Sequence, residues 1–312
     1  MTMVPEPENL ADNPPTTQKC TFGCPIIDAH LGGGIPVNSI TEIVAESGCG
    51  KTQLSLQLVL SAQLPVSHGG LSASSIYIHS EFPFPIRRLH SLSLSFLASH
   101  SRQFAPRHDP CDYVLVHAAH SADQLFDILS KLDSLIEKGN GGFPIRVIVI
   151  DSIAALFRSD YDNTASDLKR RSYLFFKISG RLKMLAKRFK MAVMVTNQVV
   201  DLVDPDGVNG LKIGNLRFLC SSGRRVCAAL GMTWANCVNS RLFMSRTEEF
   251  TSGGVDESGE EIVVRRTRRW IQVVFAPHLP YSSCEFTITK DGVFGVEEEQ
   301  SNDVLNRLII WP

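Results

Sequence analysis

The most informative segment of the chain reads Ala45-Glu46-Ser47-Gly48-Cys49-Gly50-Lys51-Thr52. Its glycines leave room for backbone N–H groups to wrap around phosphates, and the start of a following helix favours negative charge. Lys51 would reach the terminal phosphates of a nucleotide, and Thr52 would place its hydroxyl on Mg²⁺. We therefore predict a phosphate-binding loop whose nucleotide contacts are Glu46, Ser47, Gly48, Cys49, Gly50, Lys51 and Thr52.

The residues on either side of this loop supply the context that such a loop needs. Ile40–Val44 is an apolar run typical of a buried strand. Lys51–Leu64 carries leucines on almost every side, which predicts a buried helix. The alternative, a chance glycine-rich turn, does not account for a strand before it and a buried helix after it.

Further apolar runs predict a layered fold. Four short, β-branched-rich segments are typical of buried parallel strands: Ser75–Ile78, Tyr113–His117, Val147–Ile150 and Ala192–Val195. Helical patterns lie between them at Ala122–Glu137 and Asp167–Phe189. Strands alternating with helices indicate an α/β fold with a mainly parallel sheet. The Leu/Ser alternation in Ser91–Ser101 leaves helix and strand equally open.

The last third of the chain has a different texture. Three strand-like segments, Ala229–Met244, Ile262–Phe275 and Cys284–Val296, are separated by short turns at Ser252–Gly254 and Asp291-Gly292. We expect an antiparallel extension on one edge of the parallel sheet.

Composition limits the classes of protein that the chain can represent. Of 312 residues, 44% are hydrophobic, which excludes wholesale disorder. A net charge of −1, from 31 basic and 32 acidic residues, excludes a uniformly basic nucleic-acid coat. No apolar run is long enough to span a bilayer, so no membrane partner is expected. We expect a flexible tail over residues 1–20, one core over 21–296 and a last element over 297–312.

Three polar residues follow predicted strands. Asp151 comes directly after Val147–Ile150 and could hold the water shell of Mg²⁺. Glu81 could act as a general base towards an attacking water, and Gln198 could sense the terminal phosphate. A helix cap is the alternative for Asp151, and a solvated loop residue is the alternative for Glu81 or Gln198 taken alone.

Together these pieces resemble the RecA-type recombinases, and their eukaryotic strand-exchange branch in particular. The shared segments are Lys51-Thr52, Glu81, Asp151, Thr196-Asn197-Gln198, Gly23–Asp28, Gly32–Ile35 and Ser39–Ile43. The resemblance implies a RecA-like P-loop ATPase core that binds ATP and Mg²⁺, with Glu81, Lys51 and Gln198 in catalytic roles and Thr52 and Asp151 at the metal. It also implies that Arg88 stacks on the adenine.

The same resemblance implies two segments that face DNA. The first spans about Phe157–Ser166, with Arg158 and Tyr161, and the second spans about Val199–Arg225. The cations of the second segment are Lys212, Arg217, Arg224 and Arg225. A cation with an aromatic side chain suits contact with the DNA backbone and stacking on bases.

Three more segments, His68–Leu71, Gly231–Asn236 and Ala276–Cys284, are similar to one paralogue within this branch. They imply a nuclear protein, with some of it in the cytoplasm, that assists homologous-recombination repair of double-strand breaks. Its implied partners are another recombinase paralogue, the strand-exchange recombinase and single-stranded or branched DNA. Two alternatives stay open: an ATP-bound adaptor without catalysis, and a hexameric RecA-like helicase motor.

The sequence also departs from the family pattern. His79 stands where the family has Asp, and Phe82 stands where it has Gly. Residues 1–20 contain no Phe for the family's Phe-x-x-Ala docking segment. We therefore expect weak, DNA-stimulated ATP hydrolysis and no filament of this chain alone.

Overall fold

A computed structural model describes residues 17–104, 108–157, 164–202, 219–255 and 261–297. The predicted DNA contacts Arg158, Tyr161, Lys212 and Arg217 lie outside these residues. Six α-helices are described: α1 (Pro25–His30), α2 (Lys51–Ser61), α3 (Ile86–Ser99), α4 (Ala122–Lys138), α5 (Ala165–Phe189) and α6 (Gly231–Ala235).

Fourteen strands are described in the same part of the chain. They are β1 (Lys19–Cys20), β2 (Ile35–Pro36), β3 (Ser39–Ala45), β4 (Ser74–His79), β5 (Val114–Ala118), β6 (Ile145–Asp151), β7 (Ala192–Asn197), β8 (Val199–Asp201), β9 (Leu219–Ser221), β10 (Arg224–Ala228), β11 (Ser240–Val255), β12 (Glu261–Phe275), β13 (Ser283–Ile288) and β14 (Val293–Gly295).

Nine of the strands form the central sheet, in the order β14-β13-β12-β11-β3-β7-β6-β4-β5. In the run β11-β3-β7-β6-β4-β5, each strand is parallel to its neighbour. In the run β14-β13-β12-β11, each strand is antiparallel to its neighbour. The predicted α/β class and the antiparallel C-terminal extension are therefore confirmed.

Helices cover both faces of this sheet, which explains the nearly continuous apolar character of its central strands. On one face, leucines of α2 and α3 pack against alternate residues of the strands, such as Val147. On the other face, leucines of α4 and α5 pack against the intervening residues, such as Ile148. Successive residues of a strand point to opposite faces, so a single strand serves both cores.

Several boundaries differ from the sequence prediction. The undecided segment Ser91–Ser101 lies mostly in helix α3. The predicted turn Ser252–Gly254 lies inside strand β11, where a register shift between Ser252 and Val255 accommodates the glycines. Helix α6 interrupts the predicted strand Ala229–Met244.

One predicted loop and the predicted N-terminal tail contain ordered strands. The segment Val199–Arg225 was expected as a DNA-facing loop, but its described residues belong to a three-stranded sheet in the order β8-β10-β9. Residues 19–20 of the predicted tail form β1, which pairs with β2 and buries Cys20. The division of the chain into a tail over 1–20, a core over 21–296 and a last element over 297–312 stays a prediction in all other respects. No described helix has both the length and the apolar character needed to cross a bilayer.

Candidate nucleotide-binding site

A cavity of about 730 Å³ lies where the carboxyl ends of β3, β4, β6 and β7 meet. It is large enough for a nucleotide. The predicted site residues that line it are Glu46, Ser47, Gly48, Gly50, Lys51, Thr52, Glu81, Asp151 and Gln198. Parallel strands present their carboxyl ends at one edge of a sheet, which is why residues far apart in sequence converge here.

The phosphate loop connects β3 to α2 with a backbone that requires glycine. Gly48 and Gly50 have φ values of 81° and 108°, in the left-handed region that other residues disfavour. A Cβ atom on Gly50 would lie 2.5 Å from Cδ1 of Ile288. The predicted contact Cys49 is buried beneath the loop. A Cβ atom on Gly48 would lie 2.8 Å from Nη1 of Arg246. Glycine at these two positions therefore lets the loop form a close cradle against β11 and β13.

Lys51, the first residue of α2, is held by its own loop. Its Nζ donates to the carbonyl oxygens of Ala45 and Glu46, over 2.8 and 3.0 Å. Burial lowers the pKa of Lys51, and the nearby carboxylate of Asp151 acts in the opposite direction. A phosphate is a stronger partner for this ammonium than two carbonyls, so the loop fits an anionic ligand.

Asp151, at the end of β6, accepts hydrogen bonds from three hydroxyl groups. Thr52 and Tyr77 donate to Oδ2 and Thr196 donates to Oδ1, each over 2.6 Å. Tyr77 is fully buried, and burial followed by the charge of Asp151 raises its pKa well above the usual value, so it stays a donor. These donors fix the orientation of the carboxylate.

The same arrangement fits Mg²⁺. Hydroxyl and carboxylate oxygens are ligands that Mg²⁺ accepts, usually together with phosphate oxygens and water. Within the described ranges, no group of three or more His, Cys, Asp or Glu side chains forms a metal cage by itself. Thr52 and Asp151 therefore suit a metal that arrives with a nucleotide.

Glu81 and Gln198 are brought into direct contact. Nε2 of Gln198 lies 2.6 Å from Oε1 of Glu81. The buried Oε1 of Gln198 has no hydrogen-bond partner among the described residues. The contact places a carboxylate and an amide side by side in the lining of the cavity.

Arg88 reaches only the rim of the cavity. Its Nε donates to Oε1 of Gln53 over 2.7 Å, and Gln53 lines the cavity. The other guanidinium nitrogens donate to the carbonyls of Lys290 and Thr289, over 2.6 and 2.8 Å. Its role at the adenine stays a prediction.

The sequence did not indicate the partners of Glu46. This side chain is only 7% exposed and accepts from Nε of Arg246 over 2.8 Å, from Nη2 of Arg224 over 2.9 Å, and from the hydroxyl of Ser222. Burial raises the pKa of Glu46, but the bonds from Ser222 and Arg246 outweigh it and leave the pKa below its usual value. Glu46 thus anchors the phosphate loop to β10 and β11 as a carboxylate.

Comparison with known proteins identifies relatives along most of the chain. The Rad51 family model matches residues 16–217. The chain is 55% identical to the DNA repair protein XRCC3 homolog of Arabidopsis thaliana, over 94% of this chain and 98% of that protein. It is 35% identical to DNA repair protein XRCC3 of Mus musculus, over 92% of this chain and 78% of that protein.

A more distant relative is DNA repair protein RAD51 homolog 2 of Homo sapiens, which is 29% identical over 86% of this chain and 66% of that protein. XRCC3 is the paralogue that His68–Leu71, Gly231–Asn236 and Ala276–Cys284 resemble, so that prediction is confirmed.

Proposed function

The chain belongs to the Rad51 family, and we propose that it is a nuclear, ATP-binding protein of homologous-recombination repair that acts at DNA double-strand breaks. In this proposal it works in a hetero-complex with another recombinase paralogue. The complex helps the strand-exchange recombinase form or keep its filament on single-stranded or branched DNA. The names of the relatives, all DNA repair proteins, support the pathway.

One observation carries the nucleotide part of the proposal: Asp151 and Thr52 meet at 2.6 Å beside the glycine cradle. Lys51 would exchange its two carbonyl partners for phosphate oxygens, and the start of α2 would face the same charge. Thr52 and Asp151 would hold Mg²⁺ and its water. When bound, Mg²⁺ neutralises phosphate charge and makes the terminal phosphate a better electrophile.

Hydrolysis in this proposal depends on the pair Glu81–Gln198. A carboxylate oxygen of Glu81 takes the proton from an attacking water, while the amide of Gln198 holds that carboxylate in place. Both residues follow strands of the rigid sheet, which limits their movement during the reaction.

A second candidate, an ATP-bound adaptor without turnover, is favoured by one feature near Glu81. Nδ1 of His79 lies 2.9 Å from the carbonyl oxygen of Phe82, and the ring of Phe82 is 75% exposed at the cavity. These two residues replace the Asp and Gly of the family pattern. Turnover measured with and without single-stranded DNA separates the two candidates, because the adaptor gives only background phosphate release in both cases.

The proposal as a whole is tested on the complex purified from nuclear extract. We expect a defined hetero-complex that contains a second Rad51-family chain and retains ATP in the presence of Mg²⁺. Asp151→Asn should reduce Mg²⁺-dependent ATP retention, whereas the matched surface change Asp127→Asn on α4 should not. A complex without any Rad51-family partner would contradict the assembly, and equal retention by both variants would contradict the site.

A further inference from the structure

The cavity contains a cation that the predicted nucleotide site did not include. Arg224, at the start of β10, lines the same cavity as Lys51. Among the described residues of the lining, these two are the cations. Four carboxylates share the lining with them: Glu46, Glu81, Asp151 and Asp201. Arg246 pairs with Glu46 from outside the lining, but the other three carboxylates still outnumber Lys51. This excess of negative charge opposes the entry of a triphosphate.

Arg224 joins two of these carboxylates. Nη2 donates to Oε2 of Glu46 over 2.9 Å, and Nη1 donates to both carboxylate oxygens of Asp201, over 2.9 and 2.8 Å. The side chain of Arg224 is 52% exposed and that of Asp201 is 50% exposed. The guanidinium is therefore at the open side of the cavity, where a ligand can reach it.

The two carboxylates can release Arg224 without becoming isolated charges. Oε1 of Glu46 keeps Arg246 and Ser222 as donors, which do not depend on Arg224. Asp201 is half exposed, so water replaces the lost bond. Moving the guanidinium of Arg224 from these carboxylates to a phosphate therefore costs the protein little free energy.

The contact with Glu46 determines which phosphate Arg224 would meet. Strand β10 runs antiparallel to β8, with Ala228 opposite Val199, so Arg224 lies at the end of β10 that is far from Gln198. Its guanidinium instead reaches Oε2 of Glu46, the first residue after β3 and the start of the phosphate loop. The same loop carries Lys51, which is proposed to reach the terminal phosphates, so Arg224 faces those phosphates from the other end of the loop.

We propose that Arg224 contacts the terminal phosphate of a bound nucleoside triphosphate from within the same chain, and so makes the site prefer ATP to ADP. This inference rests on the proposed ATP binding. Arginine suits the role because its planar fork binds two oxygens of one phosphate at once. The sequence alone had placed Arg224 in a DNA-facing loop.

The test compares ATP and ADP binding, with Mg²⁺, by calorimetry on the purified hetero-complex. We expect Arg224→Gln to weaken ATP binding roughly tenfold, the size of one charge-assisted hydrogen bond, and to change ADP binding less than about twofold. Arg225→Gln removes the same charge one residue along the strand, on its other face, and should change neither affinity. Unfolding midpoints of all variants check that the fold is retained.

Asp201→Asn distinguishes phosphate binding from a structural role. Removing this competing carboxylate should leave ATP binding unchanged or tighter if Arg224 moves to phosphate, whereas a structural ion pair predicts weaker binding. Arg224→Gln with unchanged ATP affinity, or with equal losses for ATP and ADP, would overturn the inference and leave the proposed function intact. A wild-type complex that binds neither nucleotide would overturn both.

Discussion

Gln198 and Glu81 touch across the width of strand β6: Nε2 of Gln198, directly after β7, lies 2.6 Å from Oε1 of Glu81, two residues beyond β4. Strand β6 lies between β7 and β4 in the sheet and ends at Asp151. The contact thus joins two strand ends over the residue proposed to hold the metal. The carboxylate of Glu81, as proton acceptor, and the amide of Gln198, which positions it, therefore form one proposed catalytic unit in the lining of the cavity.

The first prediction concerns this unit. Glu81→Gln preserves the size of the side chain and an oxygen that can accept from Gln198, but it removes the base. We expect ATP affinity within about twofold of wild type and turnover reduced by about 100-fold or more, the usual contribution of a general base. Phosphate release and equilibrium binding, measured on the same preparation, check both parts. Glu137→Gln, an exposed carboxylate on α4, is the matched control.

The outcome for wild-type protein decides how the first prediction is interpreted. Turnover above background that survives Glu81→Gln would remove Glu81 from catalysis. Wild-type turnover at background, with ATP still bound, would instead support the adaptor.

The second prediction concerns the lysine of the phosphate loop. Lys51→Ala removes the ammonium whose present partners are the carbonyls of Ala45 and Glu46. Loss of a charged hydrogen bond to phosphate should weaken ATP binding by about 2–3 kcal/mol. Calorimetry with Mg²⁺ measures this, and Lys183→Ala on the exposed side of α5 should have no effect. Equal affinity in Lys51→Ala and wild type would rule out the loop as the phosphate site.

The third prediction concerns the buried phenol below the metal site. Tyr77→Phe removes one of the three donors that orient Asp151 and should lower the free energy of unfolding by about 1 kcal/mol. Because a loosened carboxylate binds metal less well, the Mg²⁺ concentration that gives half-maximal ATP binding should rise several-fold. Tyr113→Phe, whose ring stacks on His108, is the matched control. A loss of stability with an unchanged Mg²⁺ midpoint would show that Tyr77 has only a structural role.

The sequence predicted the parts of the site that depend on short, contiguous patterns. Lys51-Thr52 follows glycines that need left-handed backbone, and Asp151 follows an apolar strand directly. Since parallel strands align their carboxyl ends, locating each strand also located its terminal residue in the cavity. The convergence of Glu81 and Gln198 follows from the same rule, although their direct hydrogen bond does not.

The remaining parts depend on contacts that no local pattern encodes. Glu46 and Arg246 are 200 residues apart, and Arg224 lies in a polar segment whose charges are typical of a solvated loop. In the sequence, Tyr77 is indistinguishable from the apolar residues of a buried strand. Only the hydrogen bond from its hydroxyl to Asp151 shows that it orients this carboxylate. Pairing between β8, β9 and β10 is what turns this polar segment into a wall of the cavity.

The last prediction concerns the carboxylate that anchors the phosphate loop. Because the folded pKa of Glu46 lies below its unfolded value of about 4.3, the group stabilises the fold above that value and loses this contribution as pH falls through the folded pKa. Arg246 and Arg224 are 32% and 52% exposed, so screening limits the contribution to about 1 kcal/mol. Glu46→Gln should therefore be less stable than wild type near neutral pH, and the difference should shrink below about pH 4. Urea unfolding across this range measures it. A difference that stays constant with pH would show that Glu46 acts through packing and not through its charge.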